Sequence, residues 1–487
     1  MRGPVLGLLA GVLLSACAVG PDYKRPQIEP PGEWRIDYPR AAEVADTEWW
    51  KQFGDPVLDQ LIETTLRENL DLQAASARVD QFLGVLSTTR SQFFPQLGYS
   101  GDASRNRASQ VGPQPLAPGT NSNYSLYQGS FNAAWQIDLF GRVRRQSEAA
   151  QAQVYASEQG RRGVILSLVT TAAVSYVGLR ALDRELEIAR ATARNYADTK
   201  QLFQQRFAGG VVSEVELAQI ESQYQLALAT IPSLEQSIAS QENLISVLLG
   251  RNPGAIPRGK SIDELLPPVI PAGLPSELLE RRPDLLQAEQ NLVAANASIG
   301  VAKSLYFPSI SITGLFGSLS AAAGDFLTGP AKTWSVGAGL AGPIFTFGGI
   351  SGQVQTAEAA QQEALLFYRQ TILNAFRETN DALIGSQKKR EEAEAQARRV
   401  RALRDYARLS RLRFDNGVVS YIEVLFAENE LFAAELASVN TQAERYTQLI
   451  NVYKAMGGGW VDQADRLAIR PQGAAAPEAA SKEAPKD

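Results

Sequence analysis

Few side chains in this chain could do chemistry, and what is missing decides most of the reading. Histidine is absent, and cysteine occurs once in 487 residues, as Cys17. That removes the commonest general base and metal ligand, and with them thiol catalysis and metal sites of the Cys/His type. No G-x-S-x-G occurs, and the S-x-x-K match at Ser386-Gln387-Lys388-Lys389 lies within a long charged helical stretch, where chance would place it. No enzyme and no cofactor are expected. A formal net charge of -5 without a basic cluster argues against nucleic acid as a partner. Two places remain where side chains could act without catalysis. They are Cys17, as a point of covalent modification, and a charged turn holding Arg411, Arg413 and Asp415.

Cys17 ends a segment in which Arg2 precedes an apolar run from Val5 to Leu14. Residues 1–16 read as a secretory signal, too short to span a bilayer as a stable helix. The tetrad Leu14-Ser15-Ala16-Cys17 resembles the lipobox of bacterial lipoproteins. The resemblance implies cleavage before Cys17, lipidation of that cysteine and, with Ala18 rather than Asp next, sorting to the outer membrane. A buried structural cysteine is the alternative.

The element that must position everything else is the stretch from Arg142 to Phe207. It runs without a proline and recurs from Gly349 to Phe414. At about 1.5 Å per residue each helix would reach roughly 100 Å, far beyond one globular core. Leu179, Leu182, Leu186, Ala189, Ala193, Tyr196, Phe203 and Phe207 form a heptad-like seam, so the helix packs on neighbours along its length. The uncharged run from Gly163 to Leu179 could be taken for a membrane span. Its repeat partner carries Arg377, Glu378 and Asp381, so it is read as packed helix.

The chain is organised as two copies of one unit. Residues 17–56 form a strap rich in Pro and Trp, with Trp34, Trp49 and Trp50 as anchors. The first repeat, 57–250, comprises a helical pattern over Val57 to Gln92, a β-hairpin at 94–140 and helices over 142–249, with a kink expected near Pro232. A Pro-rich linker, 251–281, precedes the second repeat, 282–460, which has a helix, a hairpin at 307–347 and helices over 349–456. A disordered tail is expected over 461–487. Phe94-Pro95 matches Phe307-Pro308 at an offset of 213, and Val211-Val212-Ser213 matches Val418-Val419-Ser420 at 207. The difference falls within the hairpin, where added residues extend an exposed tip.

From Tyr127 to Leu139 large and polar residues alternate strictly, and Ile310, Ile312 and Phe316 do the same in the second half. The pattern fits membrane-spanning strands, and it also fits half-buried strands of a soluble sandwich. Spanning strands must belong to a closed barrel, which four cannot form alone. Two copies would fill the interior with side chains, whereas three copies give twelve strands and leave a lumen. A homotrimer is the simplest closed solution.

Four motifs carry a family resemblance: Cys17-Ala18-Val19-Gly20-Pro21-Asp22-Tyr23-Lys24-Arg25-Pro26, Arg282-Pro283-Asp284-Leu285, Phe307-Pro308-Ser309-Ile310, and Tyr453-Lys454-Ala455-Met456-Gly457-Gly458-Gly459-Trp460. Together they resemble the TolC/OprM-type outer-membrane efflux factors, more narrowly the NodT-like lipoproteins. The resemblance implies an α+β membrane protein whose duplicated helix-strand-strand-long helix-helix repeat builds a trimer. That trimer has a 12-stranded transmembrane β-barrel in outer-membrane lipid, continued by a periplasmic α-helical barrel. It also implies a periplasmic adaptor protein and an inner-membrane pump as partners, and export of drugs or other toxic small molecules. A protein-secretion duct or a structural coiled-coil lipoprotein are the competing readings.

In that family the periplasmic end is closed by helices of the second repeat, and an acidic residue usually stands two positions after the turn glycine. Here Gly417 is followed by Val418 and Val419, and Asp415 lies two positions before it instead. Asp415, Arg411, Arg413 and Val419 are therefore the candidate gate, with the arginines able to tether the carboxylate across subunits. A solvated basic face explains the same arginines, and Asp-Asn-Gly suits any solvated turn. Gly210, Val211, Val212, Gly417 and Val418 are the candidate docking tips for an adaptor, with packing between hairpins as the alternative. Arg282-Pro283-Asp284 has a structural reading, because Pro suits a first helical turn and Asp the positive end of the helix dipole.

Overall fold

The computed structural model describes residues 18–27, 48–109, 111, 117, 119–270, 278–457 and 459–468. The signal segment, Cys17, Trp34, part of the expected linker (271–277) and residues 469–487 lie outside these. In chain order the described α-helices of eight or more residues are α1 (Pro56–Glu68), α2 (Leu70–Ser91), α3 (Arg142–Ala208) and α4 (Glu214–Leu248), followed by α5 (Pro283–Ser304), α6 (Gly349–Asp415), α7 (Tyr421–Met456) and α8 (Trp460–Leu467). The strands are β1 (Gln96–Arg107), β2 (Asn123–Ile137), β3 (Ser309–Ser320) and β4 (Lys332–Ala341). The repeat holds at the level of single residues: α2 and α5 begin and end 213 positions apart, and α3 and α6, each of 67 residues, 207 apart.

The chain divides into two compact units. The first takes its described residues from Met1–Gln27, Gln81–Ala156 and Ala288–Tyr368. It holds one four-stranded sheet of order β1-β2-β3-β4 with every neighbouring pair antiparallel. The register aligns Tyr99, Phe131, Phe316 and Trp334 in one row across the four strands. Because side chains alternate along a strand, that row shares its face with Leu97, Trp135, Ile312, Val336 and Leu340. The face is exposed throughout, Tyr99 to 86 % and Trp334 to 73 %. The opposite face carries Ser100, Gln128, Ser130 and Asn132, where the Ser100 and Ser130 hydroxyls meet at 2.9 Å and Asn132 donates to Ser100 at 3.2 Å.

The second unit, from Ile28–Asp80, Ser157–Gln287 and Arg369–Asp487, is helical. Its core gathers Trp49, Trp50 and Phe53 of a 3-10 turn with Tyr446 and Tyr453 of α7 and Trp460 of α8. Trp49 stacks on Tyr453 with centroids 4.9 Å apart and meets Trp460 edge-on at 5.9 Å. Ile165, Leu168, Val169, Ala172, Ala173, Tyr176 and Val177 of the uncharged run are buried in the same core, the place of a packed helix.

Two expectations need correction, the single first helix and the disordered tail. The single helix over Val57 to Gln92 is two, because Asn69 breaks it: its amide donates to the Leu248 carbonyl at 2.9 Å while its Oδ1 caps the Leu72 N–H. Pro232, where a kink is expected, lies within α4 on an exposed position. The part of the linker within the described residues is fastened to the core of the second unit. Asp55, wholly buried, accepts from the Tyr176 hydroxyl at 2.7 Å and from the Lys260 N–H at 2.9 Å, and Ile256, Ile262 and Leu265 join the core. The tail begins as helix α8, whose Trp460, Val461 and Ala464 are buried and whose Asp465 accepts from buried Arg161.

Candidate functional site

The segment following Cys17 is held against the end of β2. The Val19 N–H donates to the Phe140 carbonyl at 3.2 Å. Gly20 adopts a left-handed φ of +105°, and a Cβ there would lie 2.4 Å from the Gly300 Cα, so only glycine fits. Buried Arg145 donates to Asp22 and Glu148, each at 2.7 Å, and to the carbonyls of Val19 and Gly20. Tyr23 and Arg25 donate to the two oxygens of Glu289 at 3.1 and 2.8 Å. Residue 18 is therefore fixed where β2 gives way to α3, which sets the level of whatever is attached to residue 17.

In the second unit the two helix turns share one construction. The Gly210 N–H bonds the Phe207 carbonyl and the Val211 N–H that of Arg206. Gly417 and Val418 do the same with Phe414 and Arg413. Both glycines are left-handed, at φ +72° and +73°, the Schellman arrangement that ends a helix and satisfies its last carbonyls. Ser213 then opens α4 with a capping box to Glu216.

The turns are joined by aromatic packing. Phe203, Phe414 and Tyr421 form a triangle with centroids 4.4 to 6.1 Å apart, and the Arg206 guanidinium lies over both phenylalanine rings. Val212 packs against this cluster, Val419 is half-buried, and Val211 and Val418 are exposed with Gly210 and Gly417. The four tip valines thus divide by role, one of each turn facing out.

Arg411 is the electrostatic centre of the end. Its guanidinium is 3.8 Å from Asp415, 3.9 Å from Glu428 and 3.4 Å from the Tyr421 hydroxyl, and it lies over the Tyr421 ring. Arg413 is engaged by Glu423 at 2.9 Å. Each arginine therefore has partners within its own chain, where the sequence suggested a tether across subunits. Burial pushes the Glu428 carboxyl up, and Arg411 and the Asn195 amide pull it back down. Burial likewise holds the Tyr421 phenol at about 12, with Glu428 adding to the rise.

Sequence reasoning missed Tyr421, Glu428 and Phe203. A signal existed for the first: the repeat position of Tyr421 is Glu214, an acidic helix start, so an aromatic there departs from the duplication. Farther along, Glu185 of α3 is buried and its carboxyl is raised to about 7 by desolvation, opposed by Asn440 of α7. Among the described residues no group of three or more His, Cys, Asp or Glu side chains is arranged to hold a metal.

A family described as outer membrane efflux protein matches residues 61–251 and 274–458. The probable efflux pump outer membrane protein TtgC of Pseudomonas putida is 33 % identical over 458 residues, covering 93 % of this chain and 94 % of that one. The cation efflux system protein CusC of Escherichia coli is 30 % identical over 462 residues, 94 % of this chain and 98 % of that one. Among solved structures, the outer-membrane channel OprN superposes with a TM-score of 0.83 at 30 % identity, covering 91 % of this chain and all of that one.

Proposed function

The chain belongs to the outer membrane efflux protein family, and from that premise we propose that three copies close into one exit duct fed from the periplasm. The observation that carries the proposal is the open sheet. β1 and β4 are edges with unpaired backbone, and a sheet in hydrocarbon cannot keep them. The strand count is even, so β4 of one copy meets β1 of the next antiparallel, and the alternation of directions runs unbroken through each seam. The apolar face turns to lipid and the Ser, Asn and Gln face lines the passage. A lipid on Cys17 would lie at the foot of the barrel, because residues 19–22 are pinned at the β2–α3 junction and Tyr23 and Arg25 to Glu289 of α5.

The long helices support the same assembly. Leu366, Phe367, Leu373, Leu409 and Leu412 of α6 are exposed in one chain, and a neighbouring copy covers them. At the helix turns we assign Val211 and Val418, presented on Gly210 and Gly417, to docking of the periplasmic adaptor that connects the duct to an inner-membrane pump. Arg411 and Asp415 are assigned to the gate, with Arg413 and Val419 supporting them. Relatives named for cation efflux and for an efflux pump support a cargo of small molecules.

The gate assignment is tested by single-channel conductance of purified protein in planar bilayers. Arg411 is partly exposed, so its contacts are worth about 0.5 kcal/mol per copy. Three copies moving together shift the closed–open balance by about tenfold. Arg411→Ala and Asp415→Ala should both raise open probability, the first more, because it also frees Glu428 and Tyr421. Wild-type conductance in both variants would falsify the gate and leave the duct intact.

A further inference from the structure

We propose that the outer rim of the barrel binds phosphorylated lipid head groups through Arg105, Arg107 and Lys332. This rests on the reading above, in which the strands span the outer membrane with their far ends at the cell surface. Arg105 and Arg107 share strand parity with Leu97 and Tyr99, and Lys332 shares it with Trp334 and Leu340, so all three lie on the lipid-facing side. Arg105 stands eight residues beyond Leu97, and Lys332 eight residues from Leu340. A tilted spanning strand uses about nine to eleven residues, so these cations emerge where the apolar band ends.

All three are exposed, and none has an ion pair among the described residues. Of the acids within the hairpins, Asp102 has the opposite parity, Asp138 follows β2 at the other end of the strands and pairs with Arg144, and Asp325 sits in the loop between β3 and β4. On the strands themselves the lipid-facing side therefore carries cations and no acid at this end.

Closure of the sheet sharpens the point. β1 and β4 are the edge strands, so each seam of the trimer brings the strand of Lys332 from one copy and the strand of Arg105 and Arg107 from the next to one strand spacing, about 4.8 Å. Like charges opposed across a seam are destabilising unless an anion lies between them. Guanidinium forks match phosphate oxygens bidentately, and the lysine adds a point charge. Trp334 and Phe316 immediately below provide an apolar bed for acyl chains. A lipid whose phosphates stand directly above its chains fits both parts. A soluble anion uses only the first.

The test uses delipidated full-length protein in detergent, with lipid retention counted by native mass spectrometry and stability followed by thermal melting. Bisphosphorylated lipid A should be retained on the trimer and raise its melting temperature, while the same lipid without phosphates should do neither. Arg105→Gln, Arg107→Gln and Lys332→Gln together should weaken retention by about tenfold or more, and Arg105→Lys with Arg107→Lys should restore part of it. If the triple variant does not assemble, Lys332→Gln alone leaves β1 untouched and should show a smaller loss. Equal retention of dephosphorylated lipid A, undiminished retention in the variants, or equal stabilisation by inorganic phosphate overturns the proposal. A variant trimer that still conducts but ignores lipid phosphate defeats this inference alone. A chain that neither trimerises nor conducts defeats the reading beneath it.

Discussion

Phe131→Arg removes the protein from the membrane, whereas Asn132→Arg, one residue later, leaves a conducting channel. Phe131 lies near the middle of β2, in the row Tyr99, Phe131, Phe316, Trp334, and is 70 % exposed in the single chain. An arginine at the bilayer midplane of a barrel costs about 2–4 kcal/mol. Three copies therefore lose on the order of 6–12 kcal/mol, comparable with the whole stability of a folded domain. Asn132 points to the face where it donates to Ser100, so a charge there meets water and alters only ion preference. The readout is the amount of folded, heat-modifiable protein in outer-membrane fractions. Wild-type levels of Phe131→Arg, or loss of Asn132→Arg alone, reverses the assignment of the two faces.

Arg282→Ala should cost about 1–3 kcal/mol, the range for removing a buried charged hydrogen-bond donor whose carboxylate partners keep contact with water. The Arg282 side chain is 7 % exposed. It forks onto Asp284 at 3.0 and 2.7 Å, reaches Glu378 at 2.8 Å and donates to the Ala455 carbonyl near the end of α7 at 3.1 Å. Gly457, left-handed at φ +61°, lies against it, and a Cβ there would come within 2.7 Å of the Arg282 Cγ. Alanine leaves that carbonyl and two carboxylates without their donor. Denaturant melts of the full protein check the figure, and Arg282→Lys should recover only a part, since an ammonium cannot make the fork. A loss below about 0.5 kcal/mol, as for an ordinary surface change, contradicts the clamp.

The two motifs in that clamp were both legible as sequence, Arg282-Pro283-Asp284 as a helix start and Met456-Gly457 as a helix end, but not their contact. Periodicity reports what a residue does for its own element, so the helices, the alternating strands and the duplication could be read from it. It is blind to a partner more than a hundred residues away. The break at Asn69 is of that kind, because its amide is satisfied by Leu248, and so is α8, whose Trp460 is held by Trp49 and Trp50.

At the turn end the legible part was the geometry of the glycines and the charge of Arg411, Arg413 and Asp415. The hidden part was Glu428, which lies beside Arg411 only because α6 and α7 fold back on each other. The unpaired edges of the sheet and the exposed leucines of α6 follow from the same limit one level up. Their partners belong to other copies of the chain, so strand counting finds the need for them and not their identity.

Completion of the barrel by copies of this chain is tested most directly by the mass of the purified mature protein in detergent, measured by native mass spectrometry. Three chains per particle, each carrying lipid at Cys17, is the expected result. A stable monomer that binds lipid yet shows no conductance would contradict closure by three, and the four-stranded sheet would then need a different partner along both edges.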